Sequence, residues 1–90
     1  MSEQTNRIRE TIEKVLTSGA TVEELARCIE SISDPSLETI CTNLQHYIAD
    51  EDIRIRDQEY SDYQNSELKN LTNFLKEGNL VSASKITFLS

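Results

Sequence analysis

An all-α fold is predicted by three observations. Apolar residues recur at helical spacing along most of the chain, residues suited to capping stand at the ends of those stretches, and ninety residues contain only two glycines and one proline. With 37% apolar and 28% charged residues, the composition suits one small core, so residues 1–90 read as a single helical domain. The expected architecture is a small bundle of four helices plus a short C-terminal fifth.

At about 100° per residue, Ile8, Ile12, Val15 and Leu16 share an arc of about 100°, and Gly19 offers a C-terminal stop; the first helix is placed at about 4–17. Thr21 precedes Glu24 by three residues, the spacing of a capping box, which starts the second helix at Val22. Its stripe of Val22, Leu25, Ala26, Ile29 and Ile32, with Cys28 at the edge, runs to about 32. Asp34 reads as the next N-cap, with Pro35 at the first helical position, where its missing N–H and fixed φ cost nothing. Leu37, Ile40, Cys41, Leu44, Tyr47 and Ile48 then define a third helix over about 35–48.

The stretch DEDIRIRDQEYSDYQ, residues 50–64, carries six acids against two arginines. Ile53 and Ile55 alternate with charges as in a strand, yet nothing nearby resembles a partner strand. Read as a helix, Ile53, Tyr60, Tyr63, Gln64, Leu68, Leu71, Phe74 and Leu75 fall within about 140°, and Glu77-Gly78-Asn79 closes the segment. A long fourth helix over about 52–77 follows, with Asp50 or Asp52 as N-cap and Ser61 as an alternative start. Tyr60 is assigned to the core and Tyr63 to the rim. From Leu80 the apolar residues scatter around the wheel. A short fifth helix, about 80–88, either packs across the bundle or leaves Phe88 and Leu89 to a partner.

Several functions are excluded or disfavoured. No apolar run reaches the roughly 18 residues of a membrane span, and MSEQTNRIRE lacks the apolar core of a secretion signal, so a cytoplasmic protein is expected. Cys28 and Cys41 form no CxxC pair and read as reduced, buried thiols. With His46 they are the only soft metal ligands, fewer than the four of a structural zinc site, and His46 lies about 140° from Cys41 on the wheel. Asp50 and Asp52 match the first two calcium ligands of an EF-hand loop, but Arg54, Ile55 and Ser61 occupy positions five, six and twelve. Neither a metal nor a cofactor is expected.

Residues 21–44 superficially resemble the two helices of a helix-turn-helix, with TVEELAR similar to the first. A recognition helix needs cations toward phosphate, and no Lys or Arg occurs between Arg27 and Arg54, so direct nucleic-acid binding is not expected. His46 is the one side chain that ordinarily titrates near neutrality, and carboxylate pairs arise by chance on so acidic a surface. The chain therefore reads as a non-enzyme.

A net charge of −7 favours a protein partner with a basic surface. Ile55 falls outside the core arc of the fourth helix, and with Asp57, Glu59, Asp62 and Tyr63 it forms the expected partner-binding face. The leading reading is a small acidic interaction or regulatory module. A fourth helix of roughly 39 Å would also overhang its neighbours and allow a homodimer. The alternatives are an acidic mimic of nucleic acid that inhibits a nucleic-acid-binding protein, and a small enzyme using His46 or a carboxylate pair.

Overall fold

The computed structural model describes residues 3–88 and shows an all-α protein of 36 × 23 × 20 Å. The helices are α1 (Glu3–Leu16), α2 (Val22–Glu30), α3 (Glu38–Ala49, entered through a 3₁₀ turn at Pro35–Leu37), α4 (Glu51–Arg56), α5 (Gln58–Glu77) and α6 (Leu80–Ala83). α1 lies between α2 and α5, α3 packs on α2, and α4 and α6 both fold against α5.

The helix starts follow from local capping. Thr21 Oγ1 accepts from the Glu24 N–H at 3.2 Å, and Asp34 Oδ1 accepts from the Ser36 N–H at 3.0 Å. Pro35 opens a 3₁₀ turn rather than the α-helix itself, which begins three residues later than expected. The Gln4 side-chain oxygen accepts from the backbone N–H groups of Ser33 and Asp34, both at 2.9 Å, and so ties the α2–α3 linker to the start of α1. At the end of α1 the left-handed residue is Ser18 (φ 65°) and not Gly19; the Gly19 N–H closes the turn on the Lys14 carbonyl at 2.6 Å. Gly78 (φ 73°) does take the left-handed position after α5.

One apolar cluster draws on every helix except α4. Ile8 and Ile12, Leu25 and Ile29, Leu37, Ile40 and Leu44, and Leu68, Leu71 and Leu75 are all buried, as their spacing predicts. At about 25 cal/mol per Å² of apolar surface, burying each such side chain stabilises the fold by roughly 2 kcal/mol before chain entropy is set against it.

The helix expected over 52–77 is two helices. Asp57 adopts an extended conformation (φ −131°, ψ 104°), and its carboxylate accepts from the Tyr60 N–H at 3.1 Å, so Asp57 is the N-cap of α5. Ser61 starts neither helix and Asp52 lies inside α4; Asp50 stands at the N-cap position of α4, as expected, but its side chain makes no capping bond there. α5, with 20 residues, is about 30 Å long rather than the roughly 39 Å of the unbroken helix expected. The segment from Leu80 also departs from expectation. α6 is a single turn capped by Asn79 that buries Ala83, and the chain beyond it is an irregular strap that buries Ile86 and Phe88. Phe88 is therefore a core residue; Leu89 lies outside the described residues.

Candidate interaction surface

The extended Asp57 turns α4 back along α5 and makes an acidic elbow of residues 51–63. Beneath it lies a hydrogen-bonded corner centred on Gln64, which is fully buried. The Gln64 amide oxygen accepts from Arg54 Nη1 at 2.6 Å. Its Nε2 faces Asp50 Oδ2 at 2.9 Å, the Tyr60 hydroxyl at 3.0 Å and the Phe88 carbonyl at 3.0 Å. Arg54 also donates to the Tyr47 carbonyl and lies over the Tyr47 ring, 3.7 Å from its centroid. The Tyr47 hydroxyl donates to Asn65 Oδ1 at 2.8 Å, and its ring meets that of Phe88 edge to face at 5.6 Å. Among the described residues, no buried side-chain nitrogen or oxygen lacks a hydrogen-bond partner.

Titration follows from these contacts. The Asp50 carboxylate, which accepts from the Tyr60 hydroxyl at 2.7 Å, pushes that phenol above its ordinary pKa, and partial burial adds to the effect. Burial raises Tyr47, with Arg54 opposing and Glu51 adding. Burial also raises the Cys41 thiol, with Cys28 nearby; both cysteines are free and buried. A thiol shifted as that of Cys41 is makes a poor nucleophile.

The five residues expected to bind a partner sit on or beside the elbow. Ile55 is 77% exposed, Tyr63 is 38% exposed, and Asp57, Glu59 and Asp62 are exposed. Asp57 has a structural duty as well, because it caps α5. Asp62 Oδ1 accepts from Gln58 Nε2 at 2.8 Å. Tyr60, expected in the core, is half-buried at the elbow's inner side, its hydroxyl on Asp50 and its ring 6.3 Å from that of Tyr63. It belongs to the polar corner because its hydroxyl finds a carboxylate there. Ile53, placed in the core arc, is 39% exposed, since the break at Asp57 rotates α4 away from the stripe of α5.

Ion pairs gather elsewhere. Those among the described residues join Arg7 to Glu3, Arg9 to Glu10 and Glu13, and Lys76 to Glu13; none involves an acid of the elbow. Glu13 loses some hydration, which raises its pKa, but hydrogen bonds and charge from Lys76 and Arg9 win and hold it below the usual carboxylate value. It borders an open cleft of about 730 Å³ between α1 and α5 that Lys69 and Lys76 also line. His46 is exposed in the last turn of α3. Among the described residues, no three His, Cys, Asp or Glu side chains come together to hold a metal, and no helix is long and apolar enough to cross a membrane.

Sequence reasoning missed the corner. Gln64 and Arg54 carry it, and their partners lie up to 24 positions away, so only the alternation of isoleucines with arginines at 53–56 hinted that one arginine turns inward. Comparison of the chain with protein-family models, with curated proteins and with solved structures finds no match.

Proposed function

We propose that the protein is a small acidic interaction module that engages a basic protein surface through the elbow at residues 51–63, with no chemistry of its own. One observation carries the reading. Of the four large apolar side chains exposed among the described residues, Ile53, Ile55 and Tyr63 fall within this elbow, beside acids that no ion pair neutralises; only Val81 lies elsewhere. An apolar anchor among five acids that outnumber the one outward-facing cation, Arg56, suits a partner that supplies a greasy socket and a basic rim. The corner beneath supports the reading by holding α4 through Arg54, so that the face is ordered before it meets a partner. Two copies related by a two-fold axis would press like charges together here, which favours a different chain as occupant. Two free thiols suit a cytosolic setting.

The test uses Ile55→Glu together with Glu59→Lys and Asp62→Lys, and leaves Asp57 in place because it caps α5. Wild type and variant are compared for the proteins each retains from native lysate, with circular dichroism confirming the fold and the retained partner then titrated directly. The expected outcome is binding weakened at least about a hundredfold, or about 3 kcal/mol. A folded variant that holds the same partner equally well would remove the elbow from consideration. Displacement of the partner by duplex DNA or RNA, with affinity falling steeply in salt, would instead assign the acidic-mimic reading.

A further inference from the structure

We infer that the trough between α2 and α3 is a second docking surface, separate from the elbow, and that it takes a basic amphipathic helix of another protein. Two clefts form it. One, of about 370 Å³, lies between the end of α2, the Ser33–Pro35 linker and the start of α3; the other, of about 220 Å³, lies between α2 and the second half of α3. They adjoin at Ile29, Glu30 and Gln45, which line both, so the two lie end to end along the α2–α3 junction.

Its walls follow from helical spacing. Positions 26, 29 and 30 on α2 face positions 38, 41, 42, 45, 48 and 49 on α3, each set recurring every three or four residues along one side of its helix. The wall given by α3 is 12 residues, about 18 Å or three turns, the footprint of a short helix. The base is aliphatic, from Ile29, Ile32 and Ile48, and Ala26 and Ala49 are small enough for a second backbone to approach closely. This is the helix-in-groove mode, in which apolar side chains at i, i+3, i+4 and i+7 fill the base.

Charge names the occupant. From Cys28 through Ile53 the chain has no Lys or Arg, so neither lines the groove; Arg27, in the last turn of α2, is not among its lining residues. Glu30 and Glu38 are exposed at the rim, and no ion pair among the described residues engages either. Asp34 completes the rim, its carboxyl held below the ordinary range by hydrogen bonds from Ser36. An aliphatic base under a purely anionic rim complements leucines flanked by lysines or arginines. A second copy would set acids against acids, and an anionic membrane or nucleic acid would be repelled.

The probe is a synthetic amphipathic helix of about 18 residues, leucine on one face and lysine on the other, titrated into the isotopically labelled full chain at about 150 mM salt. A peptide of the same composition in scrambled order is the control. Amide shifts are expected at Ala26, Ile29, Gln45 and Ala49, with the scrambled peptide at least about tenfold weaker. Gln45→Arg, an exposed position shared by both clefts, should cut affinity at least about tenfold, whereas Glu59→Lys with Asp62→Lys should leave it unchanged. Shifts confined to residues 51–63, equal binding by the scrambled peptide, no binding at all, or a folded Gln45→Arg protein that binds normally would each overturn the inference. Shifts confined to residues 51–63 would count for the elbow and against this groove, whereas the other outcomes leave the elbow untouched, so the two readings fail distinguishably.

Discussion

Gln64 can hold the corner because a side-chain amide both accepts and donates. Its oxygen meets the Arg54 guanidinium, and its nitrogen reaches acceptors on Asp50, Tyr60 and Phe88, so one side chain with no exposed surface joins α3, α4, α5 and the C-terminal strap. Leucine has nearly the same volume and neither function. Gln64→Leu should therefore leave the Arg54 cation and the Phe88 carbonyl short of partners and destabilise the fold by about 3 kcal/mol, read as a lower urea midpoint with little change in slope. That is a large share of the roughly 5–15 kcal/mol that usually holds a domain together. The helical wheel places Gln64 inside the apolar arc, so its burial was legible in the sequence. Its role was not, because Asp50, Arg54 and Phe88 stand 14, 10 and 24 positions away and no local period relates them.

The elements divide by what encodes them. The buried stripes of α1, α2 and α3 were legible because a 3.6-residue period depends only on near neighbours, and Thr21, Asp34 and Gly78 act within one turn of themselves. The bend at Asp57 was not. Asp50, Asp52, Asp57 and Ser61 can all cap a helix, and what selects Asp57 is tertiary: Asp50 is engaged with Tyr60 and Gln64, and Arg54 draws α4 inward. The strap after α6 was hidden for a similar reason, since Phe88 is buried by Tyr47 and the core while adopting φ 61°, a conformation no propensity favours for phenylalanine. Phe88→Ala should cost about 3–5 kcal/mol in chemical denaturation. Val81→Ala, on the turn just before and 69% exposed, should change stability by less than about 0.5 kcal/mol.

At the scale of the molecule the charges are unevenly shared. The ion pairs lie on α1 and its junction with α5, while no ion pair among the described residues engages the acids of the α2–α3 rim or of the elbow. Exposed pairs of this kind contribute about 0–1 kcal/mol each, too little to offset the self-repulsion of a molecule carrying −7. Added salt should screen the repulsion more than it weakens the pairs. The melting temperature, followed by calorimetry, is thus expected to rise by a few degrees between about 10 and 150 mM sodium chloride; a fall would show that the α1 pairs dominate. α4 carries a further consequence. Its six residues bury no side chain, and Arg54 is folded into the corner while Arg56 points outward two positions later, bonded only to the Asp52 carbonyl. Arg56 is thus an exposed trypsin site in the middle of the elbow, and whatever occupies that face in the cell also serves as its shield.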